Sequence, residues 1–304
     1  MHIRLTARTI GVAALLFVCA IAIGAFLLGK KEKVLELARM VLWTRPALSL
    51  FLGPDDVITV RLDDGRRYRL VAPGWRSLAL APGKGCLPVR LVPVTGSITL
   101  TEDGQWHLNQ TFDGLTPRAL IRQVAADRRT WRLPYVLLAL PGAFGSDGQI
   151  GDGVRHPEIL HRALDRLKER YHRSNLCIAA VSWAGVALAR LIEERTDITC
   201  AVFISTPFSR DRDAYYARLV KSGAYPPYNP MGHWETIMAH FPEKVVFVGD
   251  PADQVVPFAA EQRPFIEKTV KAFPQARFFS ATGTPPRHHV IPGLAVGLLN
   301  DFCS

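Results

Sequence analysis

Five short apolar runs limit what this chain can become. They are Pro134 to Leu140, Cys177 to Val181, Cys200 to Ser205, Lys244 to Gly249 and Ala276 to Ser280. Most are apolar at nearly every position rather than at every second one, the signature of strands covered on both faces. Helical periodicity lies between them. In His156 to Tyr171, Leu160, Ala163, Leu164, Leu167 and Tyr171 share one face, and Arg162, Asp165, Arg166 and Glu169 lie on the other. Gly185 to Arg195 and Phe258 to Phe273 read as further helices. Apolar strands alternating with amphipathic helices predict an α/β fold, a mainly parallel sheet with helices on both faces. Sheets of that kind build their sites at the carboxyl ends of the strands.

The stretch Ala180-Val181-Ser182-Trp183-Ala184-Gly185 stands at one such end. A serine on a sharp strand-to-helix turn, with small residues two before and two after it, is the layout of a nucleophile elbow. The turn holds the serine at strained backbone angles, so its neighbours must be small for strand and helix to pack. The usual motif has glycines where this chain has Ala180 and Ala184. A serine hydroxyl needs a base and an orienting acid before it can attack a carbonyl. The acid candidate follows the run Lys244 to Gly249: Asp253 is favoured, with Asp250 as the alternative or as a turn cap. The base candidate follows Ala276 to Ser280, where His288 and His289 are adjacent, and His289 is favoured. For the oxyanion hole, one donor is the amide of Trp183. The other is assigned to Ala143, or to Phe144 one residue later, in the turn Pro141 to Gly148. That turn fits neither a dinucleotide-binding nor a P-loop motif.

With these residues together, the chain resembles the α/β-hydrolase superfamily, near its bacterial prolyl-oligopeptidase-like and dienelactone-hydrolase-like branch. The matching segments are Leu140 to Gly148, His156 to Tyr171, Asp197 to Ser205, Lys244 to Pro257 and Arg287 to Ile291. The resemblance implies a doubly wound sheet, the α/β-hydrolase fold, and a serine hydrolase acting through Ser182, Asp253 and His289, without cofactor or metal. It departs from the family in having Pro141-Gly142 where hydrolases often have His-Gly, and in a short interval between Gly142 and Ser182 with room for a single crossover helix. The expected reaction is cleavage of a small-molecule or lipid-like ester, with peptide or amide cleavage second. The alternatives are a catalytically inactive, membrane-tethered binding module and an acyltransferase using the same residues.

The uncharged stretch Thr9 to Gly29 is the other strong feature. At 1.5 Å per residue it is long enough for a hydrocarbon core of about 30 Å. Arg4 and Arg8 precede it, and Lys30, Lys31 and Lys33 follow. It reads as an uncleaved single-pass anchor, with a cleaved signal peptide as the competing reading. The short N-terminal tail favours an exported C-terminal domain. The expected organisation is an anchor over 1–30, a juxtamembrane helix and linker over 31–55, and the hydrolase domain over 56–304. The first part of that domain, 56–130, is rich in hairpins.

Two hairpins are predicted there. Val57 to Leu62 and Tyr68 to Val71 flank Asp63-Asp64-Gly65; Ser97 to Thr101 and Trp106 to Leu108 flank Glu102-Asp103-Gly104. Both suit an antiparallel extension of the sheet or a small cap. The 304 residues carry a net charge of +10, spread along the chain without a basic block interleaved with aromatics. This points to anionic lipid headgroups rather than to nucleic acid. Of five cysteines, Cys19 is in the apolar stretch, while Cys86, Cys177, Cys200 and Cys303 have no zinc-ligand spacing. Cys177 and Cys200 read as small core hydrophobes, and no disulfide pairing is assignable. The segment Thr206 to Pro242, with Tyr215, Tyr216, Tyr225, Tyr228, His233 and Trp234, reads equally as a pocket wall and as a surface helix with a Pro-rich loop.

Overall fold

The computed structural model describes residues 56–74, 85–92, 98–100, 106–108, 117–130, 134–148, 152–209, 228–289 and 294–303. The predicted anchor Thr9 to Gly29 and the juxtamembrane helix lie outside these residues. Among the described residues, no helix is long and apolar enough to cross a membrane. Residues 55–304 form one compact unit.

Its centre is a six-stranded parallel sheet. In chain order the strands are β3 (Cys86–Val92), β6 (Val136–Ala139), β7 (Asn175–Val181), β8 (Ile198–Ile204), β9 (Lys244–Gly249) and β10 (Ala276–Ser280). Their spatial order is β10-β9-β8-β7-β3-β6. The helices between them are α1 (Pro117–Thr130), α2 (Asp152–Arg155), α3 (Pro157–Tyr171), α4 (Trp183–Glu194), α5 (Trp234–Ala239), α6 (Arg263–Ala272) and α7 (Leu294–Cys303). Residues Phe258–Gln262 form a π-helical turn that runs into α6.

Alternate strand residues feed two separate cores, which is why these runs are apolar throughout. Cys177, Ala179, Val181, Cys200, Val202, Ile204, Val246 and Val248 form one cluster, closed by Leu299 of α7. On the other face, Phe203 of β8 stacks on its register partner Phe247 of β9 at 5.4 Å. Phe208 and Phe265 of α6 stack at 4.2 Å and complete that layer. Burying each such ring contributes about 1.5–3 kcal/mol. α3 turns the predicted residues inward: Leu160, Ala163, Leu164, Leu167 and Tyr171 are all buried. It stops at His172, whose left-handed backbone lets its own amide reach Glu169 O and the amide of Arg173 reach Lys168 O.

Both hairpins form where the Asp-Gly turns place them, as β1 (Val57–Arg61) with β2 (Arg67–Val71) and β4 (Ile98–Leu100) with β5 (Trp106–Leu108). Each is a separate two-stranded sheet. The first is tied to the β6 edge by an antiparallel bridge between Gly74 and Val136 and by Leu137 N–H donating to Pro73 O at 2.9 Å. β3 and α1 are elements the sequence pattern does not announce. Pro88 interrupts the apolar alternation of Leu87, Val89 and Leu91. It is tolerated because pairing with β6 starts only at Val89, leaving Pro88 paired on the β7 side alone.

Cys177 and Cys200 lie in the core as expected, and the structure supplies the pairing that the sequence leaves open: Cys86 is bonded to Cys177 and Cys200 to Cys303. Cys177 and Cys200 are register partners on β7 and β8. Cys86 reaches in from β3 and Cys303 from the end of α7, so the two bonds lie side by side beneath the sheet. The sulfurs of Cys177, Cys200 and Cys303 fall within 4.8 Å of one another. Each bond closes a long loop, of 91 and 103 residues in sequence separation. Crosslinks of that span stabilise a fold by about 2–4 kcal/mol through the unfolded chain. Peptide mapping of the oxidised protein without reductant should recover Cys86–Cys177 and Cys200–Cys303 crosslinks, and Cys303→Ser should lower stability by about that amount in denaturant titration.

Candidate active site

The parallel register aligns the carboxyl ends of four neighbouring strands. Ser182 N–H donates to Ile204 O at 2.8 Å, Ser205 N–H to Val248 O at 2.9 Å and Ala281 N–H to Gly249 O at 3.1 Å. Ser182, Ser205, Asp250 and Ala281 are therefore the first residues past β7, β8, β9 and β10 along one edge.

Ser182 has φ 53° and ψ −127°, a conformation that costs a non-glycine residue about 1–3 kcal/mol. The next residue, Trp183, begins α4, so its amide lies in the first helical turn. Ala180 and Ala184 are fully buried and fill the places of the usual glycines. The position that cannot carry a side chain is one residue further on. A Cβ on Gly185 would lie 2.0 Å from Thr206 Oγ1 and 2.5 Å from Thr206 Cγ2. Thr206 follows β8 and packs directly onto the start of α4, so the tight approach that a motif glycine normally permits has moved to Gly185.

The acid and base come together. His289 Nδ1 is 3.0 Å from Asp253 Oδ2 and 3.2 Å from Oδ1. A carboxylate only accepts, so Nδ1 carries the proton and Nε2 is left as the basic nitrogen. The Asp253 side chain is wholly buried. Its Oδ1 accepts from the amides of Val255 at 2.9 Å and Val256 at 3.0 Å, and its Oδ2 accepts from Gln262 Nε2 at 3.3 Å. Gln262 belongs to the π-helical turn and is itself anchored to Val256 O at 2.7 Å. Ser182 and His289 are half-buried, and no hydrogen bond joins them here. Resting catalytic hydrogen bonds are often long and tighten only around a bound substrate.

Asp250 does not serve His289. Its Oδ1 accepts from Ala252 N–H at 2.8 Å and its Oδ2 from Gly283 N–H at 2.6 Å. Burial opposes its ionisation, but these amides and neighbouring His288 hold its carboxyl below the usual aspartate range. His288 Nδ1 faces Asp250 Oδ2 at 3.4 Å.

The assignment of Ala143 as an oxyanion donor is not retained. Its amide donates to Leu140 O at 3.0 Å. The turn follows β6, which β3 separates from the elbow strand. Its other bonds run outward to the first hairpin: Asp147 N–H to Arg69 O at 2.7 Å, Arg69 N–H to Asp147 Oδ2 at 3.0 Å and Val71 N–H to Ser146 Oγ at 3.0 Å. The same placement weighs against Phe144. The loop that follows β3, the strand beside β7, lies outside the described residues.

The described part of the aromatic segment is structural: His233 pairs with buried Glu193 of α4 at 2.9 Å, Arg190 lies over Tyr228 at 5.4 Å, and Trp234 Nε1 donates to Thr269 Oγ1 of α6 at 2.9 Å. Ser205, which no sequence motif marks, is fully buried beside Ser182 with φ 46°, and its hydroxyl has no hydrogen-bond partner among the described residues.

No family model and no curated protein matches the chain. Solved structures do. An esterase from Pyrococcus furiosus superposes with a TM-score of 0.55 at 15% identity, over 86% of this chain and 95% of the esterase. A second crystal form of it gives 0.54 at 14% identity, over 86% and 96%. Dipeptidyl peptidase 4 from Porphyromonas gingivalis aligns with 78% of this chain over 32% of its own, at 11% identity and a TM-score of 0.47. The chain has the α/β-hydrolase fold.

The Gly185 contact is testable by itself. Gly185→Ala should destabilise the domain by about 1–3 kcal/mol, the usual cost of overpacking. Thr206→Ala in the same chain should restore most of the loss. A double-mutant cycle in urea measures this coupling.

Proposed function

We propose that this protein is a serine hydrolase of the α/β-hydrolase type that cleaves a carboxylic ester through an acyl-enzyme. The observation that carries the reading is the buried Asp253–His289 pair, standing on the same strand-end edge as the strained Ser182. In this mechanism Ser182 Oγ attacks the ester carbonyl. His289 Nε2 takes the hydroxyl proton and returns it to the departing alcohol. Asp253 holds the Nδ1–H of His289, fixes the ring's orientation and stabilises its charged form. The amide of Trp183 supplies one donor to the oxyanion. Water then attacks the acyl-enzyme, with His289 again as base, and releases the acid. No step is routed through a metal or cofactor.

The esterase named above, similar over nearly its whole length, supports an ester substrate over a peptide. A fluorophosphonate probe should label the native protein and leave Ser182→Ala unlabelled. Ser182→Ala should also lose on the order of a million-fold in turnover of a short activated ester. Full labelling or turnover in that variant overturns the assignment; a native protein that neither labels nor turns over ester is a binding module.

The same proposal places the domain on the exported side of a membrane, held by Thr9 to Gly29 as a single-pass anchor. Two adjacent disulfides support it, because such bonds persist in oxidising compartments and are rare in the cytosol. The intact chain should sediment with membranes and resist alkaline and high-salt washing. A chain beginning at Val34 should be found in the supernatant with its ester turnover retained. Release of a mature chain starting near Phe26 into the exported soluble fraction would identify the segment as a signal peptide instead.

A further inference from the structure

The site contains two carboxylate–imidazole pairs in tandem. Asp253 is hydrogen-bonded to His289, and three residues earlier Asp250 faces His288 at 3.4 Å without a hydrogen bond to its Nδ1. The mechanism above uses only the first pair. The second pair sits on the loop that carries the base, and several contacts of that loop reach the acid loop. Asp250 Oδ2 holds Gly283 N–H at 2.6 Å. Gln254 N–H, next to Asp253, donates to Arg287 O at 2.9 Å. Within the base loop, His288 N–H donates to Thr284 O at 2.9 Å, and Thr284 bridges to His289. The fit is tight: a Cβ on Gly283 would lie 2.1 Å from His288 O and 2.8 Å from His289 N. His288 itself holds a left-handed backbone, φ 54°, which turns the chain immediately before the base.

We propose that Asp250 is a positioning residue for the hydrolytic reaction: by gripping the Gly283 amide it clamps the base loop to the acid loop and so sets His289 against Asp253. The inference rests on the hydrolase reading above. Asp250 touches neither the substrate carbonyl nor Ser182 in this scheme, and its effect passes through the orientation of His289. Both of its oxygens are used, Oδ1 by Ala252 and Oδ2 by Gly283. An amide cannot replace it, because asparagine would turn an N–H₂ group toward one of those two N–H donors.

The test compares Asp250→Asn, Asp250→Ala, Gly283→Ala and His288→Asn in the full chain. Misplacing a catalytic group by about an ångström costs up to roughly a hundred-fold. Asp250→Asn, Asp250→Ala and Gly283→Ala should therefore lower kcat for a short activated ester about 10- to 100-fold with KM nearly unchanged. His288→Asn should retain most of kcat, because asparagine tolerates the left-handed backbone. The low-field imidazole N–H proton resonance of the Asp253–His289 pair supplies a readout independent of turnover. It should be present in the native protein and in His288→Asn, and lost or exchange-broadened in the Asp250 variants while their cooperative unfolding persists. Native kcat and an unchanged resonance in Asp250→Ala would overturn the positioning role. A variant that loses cooperative unfolding together with activity would reduce Asp250 to a fold residue and equally overturn it. If the native protein shows the resonance but no ester turnover or fluorophosphonate labelling, the hydrolase reading fails, while the clamp is still decided by the resonance.

Discussion

Everything in the candidate site depends on the parallel ladder of β7, β8 and β9 and on where that ladder stops. The amide of the residue after each strand still donates to the neighbouring strand: Ser182 to Ile204 and Ser205 to Val248. These bonds tie the turns to the sheet rather than leaving them to the loops. Residues far apart in sequence share one edge because parallel strands paired in register end together. The strain at Ser182 is sustained by that ladder on one side and by the Thr206–Gly185 contact on the other. A strained backbone persists only where its surroundings over-determine it.

The acid and base loops show a different kind of support. They leave β9 and β10, adjacent strands paired from Ala276–Val245 to Ser280–Gly249. Asp253 is wholly buried, and three protein donors and the imidazole surround its oxygens. A buried charge without such partners would be costly. Gln262 makes this possible from the π-helical turn, so the irregular start of α6 has a role in the acid's environment. Beneath the sheet, at the opposite strand ends, two disulfides tie β3, β7, β8 and α7 together. The candidate site is thus at one end of the sheet and the covalent reinforcement at the other.

The sequence alone announced the α/β architecture, most strand positions, both hairpins and the Asp253–His289 pairing. The reason is physical. Strands buried on two faces must be apolar at nearly every position, helices covering them must repeat near 3.6 residues, and Asp-Gly turns bend a hairpin whatever surrounds it. These are local requirements, readable in a local window. The candidate acid and base were legible because each sits in the loop that follows its own strand, Asp253 after Gly249 and His289 after Ser280.

What the tertiary structure alone decided is every relation between distant segments. β3 lies between β6 and β7, although nothing local in Cys86–Val92 says so; this insertion separates Ala143 from the elbow, and bonds to Arg69 and Val71 commit the Pro141 turn to the first hairpin. Cysteines that look like core hydrophobes become crosslinks because register brings Cys177 beside Cys200, and Cys303 arrives from the last helix. Gly185 is indispensable only because Thr206 packs on it. Asp250 turns from a turn cap into a clamp because Gly283 and His288 return to it from the neighbouring strand's loop. Periodicity encodes which face of an element is buried, whereas partner identity is set by register and crossover order, which depend on the whole chain closing around its core.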